Sequence, residues 1–429
     1  MEQEQNKRAA LVSIIPSQKE AEECMRSLDE LARLLDTAGG EEIFRLVQVK
    51  EAFNAATCLG SGKVEELRDL CQKNDVGLAV FDFELSPSQI RNLEEKTGVH
   101  VIDRTMLILD IFALHAVTGE GKLQVELAQL RYTAPRLTGQ GAALSRQGGG
   151  IGSRGPGESK LESDRRHIHR RITALTEAIA EMEHNRGTMR AARDRSGIPR
   201  IAIVGYTNAG KSTLLNRLTD AGVLSEDKLF ATLDPTTRRL ALPGGEDVLL
   251  TDTVGLIRRL PHHLIKAFRS TLDEAALSDI LLIVADASDA ECAEHLMVTR
   301  SLLSDLGAAD KPTIVVYNKC DRLDGALPED DTSGDAPVYI SAATGEGIDR
   351  LLLRILAEVR RDKRRVTLFF SYAAQSELNR LCNTVATEDM AYLDDGVRVT
   401  AVLDHTARGM FREYIVDDRG TNENGDDDR

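Results

Sequence analysis

Several things are scarce or missing from this chain of 429 residues, and each absence closes off a class of protein. There is no uninterrupted apolar run of the ~18 residues that a membrane-crossing helix needs. The charged start, Met1 to Arg8, has no apolar core after it, so no export signal is expected. The six cysteines, Cys24, Cys58, Cys71, Cys292, Cys320 and Cys382, are scattered without a Cys-x-x-Cys pair. That spacing suits free thiols in a reducing cytosol better than a disulfide framework or a zinc site. Positive charge is in deficit overall, with a net charge of −15, which taken alone argues against nucleic-acid binding. The hydrophobic fraction of 42% supports folded cores, and the length leaves room for two to four domains.

What is present begins with Gly205-Tyr206-Thr207-Asn208-Ala209-Gly210-Lys211-Ser212, which has the spacing Gly-x4-Gly-Lys-Ser of a phosphate-binding loop. It follows the apolar run Ile201 to Val204 and precedes a helical stretch from Thr213 to Leu218. A helix N-terminus has backbone N–H groups without intrahelical partners, and its dipole favours an anion there. Lys211 is expected to reach the β- and γ-phosphates, and the Ser212 hydroxyl to ligate Mg²⁺. Asp252-Thr253-Val254-Gly255 closes the strand-like run Val248 to Leu250. Asp252 can hold Mg²⁺ through water, and Gly255 lets its N–H approach the γ-phosphate with no Cβ in the way. Phe230-Ala231-Thr232-Leu233-Asp234-Pro235-Thr236-Thr237 supplies candidate threonines for a further metal contact, with Thr232 preferred over Thr236. Such a segment would be ordered by γ-phosphate and Mg²⁺ and released after hydrolysis.

The base is specified further along. Asn318-Lys319-Cys320-Asp321 follows the run Thr313 to Tyr317. A carboxylate at Asp321 can accept hydrogen bonds from guanine N1–H and the 2-amine, whereas adenine would leave it unpaired. Ser341-Ala342-Ala343 would close over the base through backbone N–H groups. The order of these motifs is that of translation-factor-like GTPases, with Lys211, Thr232 and Gly255 as the candidate catalytic groups. Ras-type enzymes place a water-orienting Gln directly after Asp-x-x-Gly. Here that residue is Leu256, so slow intrinsic hydrolysis is expected.

The expected fold class is multidomain α/β. Residues 1–117 alternate strand-like and helix-like runs, which predicts a small parallel α/β domain. Leu59-Gly60-Ser61-Gly62-Lys63 is glycine-rich but lacks phosphate-loop spacing and reads as a turn. Residues 118–197 contain two apolar heptad series, Leu123 to Leu137 and Leu161 to Met189, which predict an antiparallel helical hairpin with a glycine-rich tip at 148–158. A GTPase domain with a doubly wound, mostly parallel sheet is expected over 198–361. A small α+β domain is expected over 366–416, with strands Val366 to Phe370, Gly396 to Leu403 and Phe411 to Val416. The tail 417–429 carries six acids against two arginines and is expected to be disordered. Between Arg131 and Arg171, nine Lys and Arg face three acids, a local charge of +6 on an acidic chain. A basic hairpin with a glycine tip is an electrostatic footprint for RNA. The candidate RNA contacts are Gly149, Gly150, Gly152, Arg154, Gly155, Gly157, Arg165 and Arg166. Two other readings stand beside this one: a GTP-dependent switch that recruits a protein partner, and a second nucleotide on the N-terminal domain.

The glycine loop Gly149 to Glu158 followed by Leu161-Glu162-Ser163-Asp164-Arg165-Arg166 resembles that of HflX-type GTPases. So do Val101-Ile102-Asp103-Arg104-Thr105, Leu109-Asp110-Ile111-Phe112, the run Gly121 to Leu130, and both the phosphate loop and Phe-Ala-Thr-Leu-Asp-Pro-Thr. The resemblance spans roughly residues 10 to 360 and is less distinctive beyond. It implies a cytoplasmic bacterial GTPase that binds the large ribosomal subunit and its RNA and acts in ribosome splitting, rescue or subunit biogenesis; separately, a monomer is expected. It also implies ribosome-stimulated hydrolysis, and a glycine loop that reaches toward the peptidyl-transferase region.

Overall fold

The strand β1 (Arg8–Ile15) is buried at every position after Arg8. A strand buried on both faces belongs to a parallel sheet covered on both sides. The computed structural model describes residues 7–139, 165–182, 198–219, 229–230, 235–259, 274–323, 336–361, 364–385, 387–403 and 405–418, and in it β1 is central. With β2 (Glu41–Val49), β3 (Leu78–Phe81) and β4 (His100–Asp103) it forms a parallel sheet of order β2-β1-β3-β4. Helices α1 (Ala21–Thr37) and α4 (Arg104–His115) cover one face through Leu28, Leu31, Leu109 and Phe112. Helices α2 (Ser61–Asn74) and α3 (Pro87–Thr97) cover the other through Leu67 and Leu93.

Local chemistry explains the helix ends. Ser86 and Gln89 form a reciprocal capping box at the start of α3, and Gly98 ends it in the left-handed conformation. The glycine-rich stretch at Leu59 to Lys63 is a helix start rather than a turn. Gly60 is the N-cap of α2, and its N–H donates to Gln48 Oε1 at 2.9 Å.

Helix α5 (Gly119–Thr133) opens with the Thr118 hydroxyl accepting from Gly121 N–H at 2.9 Å. One face of α5 places Val125 and Ala128 in the core of the first sheet. The other packs Leu127 against Leu175 and Ile179 of α6 (residues 165–182), with Leu123, Leu130 and Ile172 beside them. These are positions of the two heptad series; Leu161, Met189 and the glycine tip lie outside the described residues. Among the described residues, several of the nine cations already have protein partners, Arg131 donating to the Thr176 hydroxyl at 3.3 Å. Arg171 pairs with Glu126 at 2.6 Å, and Arg136 pairs with Asp103 at 3.1 Å.

The third unit is built from β5 (Arg200–Gly205), α7 (Lys211–Thr219), β6 (Thr236–Ala241), β7 (Asp247–Asp252), β8 (Ile280–Asp286), α8 (Cys292–Asp305), β9 (Thr313–Asn318), β10 (Val338–Tyr339) and α9 (Ile348–Arg361). Its sheet runs β10-β9-β8-β5-β7-β6, parallel except for the β6–β7 pair.

The last unit has β11 (Arg364–Ser371), α10 (Gln375–Thr384), β12 (Thr387–Leu393), β13 (Gly396–Leu403), α11 (His405–Met410) and β14 (Ile415–Asp418) in an antiparallel sheet of order β12-β13-β11-β14. Two expectations fail here. Phe411 to Val416 is not one strand: Phe411 is fully buried beneath the sheet at the end of α11, a 3₁₀ turn spans Arg412–Tyr414, and the strand begins at Ile415. Asp417 and Asp418, assigned to a disordered tail, pair with Thr367 and Val366. Ladder pairing uses backbone groups, so acidic side chains do not prevent it on an edge strand. The strand β12 was not expected because its mostly exposed residues lack the alternation of a half-buried strand.

One buried ionic cluster joins the first sheet domain to the nucleotide-loop domain. Arg104 donates to Glu30 and to Asp82 (3.0 Å), and its side chain is 3% exposed against 6% and 1% for the two carboxylates. It also donates to the Arg258 carbonyl at 3.3 Å. Around it, Phe112 meets Phe230 edge-on at 4.8 Å, and Leu229, Val254 and Ile257 join the core of the first sheet. Removing one member of a buried ion cluster leaves uncompensated charge. Arg104→Ala is therefore expected to lower unfolding stability by ~3–5 kcal/mol in a urea titration. A loss under ~1 kcal/mol would mean that both carboxylates find water once the arginine is gone.

Candidate nucleotide-binding site

The loop between β5 and α7 reverses the chain through Asn208 (φ 61°) and Gly210 (φ 90°). A Cβ on Gly210 would lie 2.2 Å from Asn318 Nδ2, so only glycine fits. Lys211 folds back over this loop, its ammonium donating to the Gly205 carbonyl at 3.2 Å and the Tyr206 carbonyl at 2.8 Å. Burial lowers its pKa to about 8, against the opposing pull of the Asp252 carboxylate.

Asp252 ends β7 with no exposure and accepts from the Ser212 hydroxyl at 2.6 Å. Two hard oxygen donors side by side, one of them a carboxylate, suit Mg²⁺, which keeps most of its water and needs few protein ligands. Thr253 ties its hydroxyl to the Ile203 carbonyl at 2.7 Å, holding the segment to β5. A Cβ on Gly255 would meet Thr207 Cγ2 at 2.7 Å, so the segment can press against the phosphate loop only as glycine. The next residue, Leu256, bonds to the loop through its backbone: its N–H donates to Gly205 O at 3.0 Å, and its carbonyl accepts from Thr207 N–H at 2.8 Å. Its side chain is buried. No side chain at this position is offered to an attacking water.

At the base end, Asn318 bridges two loops. Its Nδ2 donates to the Ala209 carbonyl at 2.9 Å, and its Oδ1 accepts from Ala342 N–H at 2.9 Å. Lys319 adopts φ 62° and pairs with Asp286 at 2.7 Å, which orients the turn that presents an exposed Asp321. Ser341 is fully buried, and its hydroxyl accepts from Thr344 N–H at 3.1 Å.

Hydrogen bonds therefore link the phosphate loop to Asp252 through Ser212 and to Ala342 through Asn318, with Gly255 against Thr207, Asp321 exposed just after Asn318, and Thr213 in the first turn of α7. Other candidates are placed elsewhere. The rings of Tyr206 and Phe230, and the side chain of Val254, are committed to the interdomain core. Ala231, Thr232 and Leu233 lie outside the described residues, as do the loop candidates from Gly149 to Gly157, Arg154 included. Arg165 and Arg166 are exposed in the first turn of α6. Sequence reasoning missed the second half of Tyr206. Its hydroxyl donates to Glu30 and accepts from Arg258 N–H at 2.9 Å, and its ring stacks on His295 at 3.7 Å. Burial next to the Glu30 carboxylate raises the phenol pKa, keeping it a neutral donor. Nothing near Glu30 in the sequence signals a partner 176 residues away.

An anion bound at Lys211 restores the proton that burial destabilises. Below pH about 8 the free protein already carries it and affinity should be flat; above that pH, binding must take up a proton and GDP affinity should fall. Calorimetry at pH 9 in two buffers of different ionisation enthalpy should register this uptake; a buffer-independent heat would place the cation away from the phosphates. Asp321→Asn should shift preference from guanine toward xanthine nucleotides, because an amide can donate to a 2-carbonyl. Competition between GDP and XDP reads the shift, and an unchanged ratio would remove Asp321 from the base site.

Comparison with known proteins agrees with this geometry. Three family descriptions match in series: GTP-binding GTPase N-terminal over residues 25–113, GTP-binding GTPase middle region over 115–193, and 50S ribosome-binding GTPase over 200–319. The GTPase HflX of Lacrimispora saccharolytica is 51% identical over 396 residues, covering 92% of this chain and 93% of that protein. The GTPase HflX of Caldanaerobacter subterraneus subsp. tengcongensis is 47% identical over 95% of this chain and 94% of its own length. That of Escherichia coli K12 is 44% identical, with coverage of 76% and 78%. Identity at this level along nearly the whole length, together with a phosphate loop hydrogen-bonded to both the Asp-x-x-Gly segment and Asn318 of Asn-Lys-x-Asp, makes this chain a member of the HflX family of GTP-hydrolysing enzymes.

Proposed function

We propose that this GTPase binds the large ribosomal subunit in the cytoplasm and uses its nucleotide state to control that contact, acting in ribosome splitting, rescue or subunit biogenesis. One observation carries the reading. The phosphate loop is tied through Tyr206 to Glu30, and through Glu30 to Arg104, in the domain whose core also seats α5 of the basic hairpin. A change at the γ-phosphate that moves Gly255 or Leu256 therefore pulls on Arg258 and Tyr206, and through them on the unit expected to touch RNA. The match to a 50S ribosome-binding GTPase family points to the same partner.

Mg²⁺, held by Ser212 and Asp252, would neutralise charge on the β- and γ-phosphates when bound. Lys211 would orient the phosphates and supply a second positive charge, Gly255 would admit the γ-phosphate to its own N–H, and Thr232, which lies outside the described residues, would add a further metal contact. With the Leu256 side chain turned into the protein, the free enzyme has no side chain there to orient water, so turnover is slow until a partner supplies one or moves the segment.

GTP turnover is to be measured alone and with purified large ribosomal subunits at two salt concentrations. Strong stimulation that fades as salt rises is expected, because contact through several phosphates releases counterions. Deleting residues 149–158 should abolish the stimulation and leave the basal rate intact. Unstimulated turnover, or stimulation untouched by the deletion, would reject the ribosomal reading and favour a switch that recruits a protein.

A further inference from the structure

The base-closing segment Ser341 to Ala343 has one more partner, from an unexpected direction. Arg217 sits near the end of α7, the helix that begins with the phosphate-binding Lys211. Its guanidinium crosses to the other side of the site, where Nε donates to the Ala342 carbonyl at 3.0 Å and Nη2 donates to the Ala343 carbonyl. The planar fork of arginine suits two neighbouring acceptors, and lysine has no equivalent geometry. Both ends of this contact are firmly seated. Leu214 and Leu215 of α7 share one core with Ile340, Ala342, Leu351 and Ile355.

The consequence follows from the planarity of the peptide bond. In a trans peptide the carbonyl of one residue and the N–H of the next point in opposite directions. Three amides of this turn can be followed. Ala342 N–H donates to Asn318 Oδ1 at 2.9 Å. Thr344 N–H, which shares its peptide with the Ala343 carbonyl, donates to Ser341 Oγ at 3.1 Å. Ala343 N–H, which shares its peptide with the Ala342 carbonyl, makes no hydrogen bond among the described residues. Arg217 holds the carbonyl side of that peptide, so the unused N–H is turned to the opposite side. The turn is closed behind it by Gly345 N–H donating to the Ser341 carbonyl at 2.8 Å, with Gly345 at φ 93°.

We propose that Arg217 is the positioning residue that sets guanine specificity from outside the base pocket: by gripping the Ala342 and Ala343 carbonyls it aims the Ala343 N–H at the base. The edge that such a donor recognises is an acceptor at position 6. Guanine presents O6 there, whereas adenine presents an amino group that is itself a donor. Asp321 reads the N1–H and 2-amine edge, and the Ala343 amide reads O6, so the two discriminate independently. Arg217 also links the helix that starts at the phosphates to the loop that closes on the base, so both ends of the nucleotide are read by elements anchored to each other. This rests on the reading that Ser341 to Ala343 face the guanine base.

The test uses the full-length protein with Arg217→Met, which keeps the apolar stem, and Arg217→Lys, which can reach a single carbonyl. Affinities for GDP, IDP and ADP are measured by competition against a fluorescent guanine nucleotide, with the melting temperature of each variant as a fold control. GDP and IDP both carry O6. Both are expected to bind Arg217→Met about tenfold more weakly, the effect of losing a charge-assisted hydrogen bond that aims a donor. ADP should be unchanged, so the GDP-to-ADP preference falls by the same factor, and Arg217→Lys should fall between. Equal weakening of GDP and ADP would make Arg217 a support of the phosphate helix and overturn the proposal, as would unchanged GDP affinity in a folded variant. Failure of the underlying guanine reading looks different: Asp321→Asn would leave the GDP-to-XDP ratio unmoved whatever Arg217 does.

Discussion

A buried arginine sets the directional contacts across the main division of this molecule. Arg104 lies between the carboxylates of Glu30 and Asp82, and Glu30 in turn receives the Tyr206 hydroxyl from the phosphate loop. The three charges pair with one another inside the first domain, and the Tyr206 hydroxyl, the Arg258 carbonyl and the Arg259 guanidinium reach them from the other, so these directional contacts favour one relative placement of the two domains. The apolar contacts around them are less demanding. Phe112 against Phe230 and Ile257 against the first sheet would accept small slips. The ionic cluster supplies the register, and the apolar surface supplies most of the attraction.

That arrangement brings the first domain against one side of the phosphate loop, where Glu30 and Arg33 line a small cavity with Tyr206 to Ala209. The phosphate loop, Asp252 and the base motif come from the six-stranded sheet. The segment after Asp-x-x-Gly runs along the boundary. Leu256 is laced to the phosphate loop by backbone bonds, Arg258 pairs with Glu291 and Glu294 of the same domain, and Arg259 reaches Glu23 and Asp82 of the other. The segment after Asp-x-x-Gly, proposed to respond to the γ-phosphate, is thus held by both sides. A ligand that alters its position has differential contacts with both domains, which is the physical requirement for coupling between sites.

Within the GTPase unit the same economy of anchors recurs. Asn318 ties the phosphate loop to the base loop, Lys319 ties the base motif to β8, and Arg217 ties the phosphate helix to the base loop. Each anchor is a side chain bonding to backbone or to a carboxylate at a strand end. Local chain order alone would leave these loops free to drift, because each is short and irregular.

How much of this could be read without coordinates follows from the range of the forces involved. Strands and helices of the first and third units were legible because a parallel sheet covered on both faces demands apolar runs broken by turn chemistry, as in Arg8–Ile15 and the Ser86 cap. The phosphate loop was legible because cradling an anion needs glycine and lysine at a set spacing, as Gly210 and Lys211 show. The edge strand Thr387–Leu393, the break at Phe411 and the strand character of Asp417 were not, since partners distant in the chain decided them. The direction of the Tyr206 hydroxyl, the pairing of Arg104 and the reach of Arg217 belong wholly to tertiary structure. Sequence determines which chemical groups exist and which local shapes they favour. Only the packed fold decides which carboxylate or carbonyl, from 22 to 176 residues away, lies within reach of each, because a hydrogen bond acts across ångströms and not along the chain.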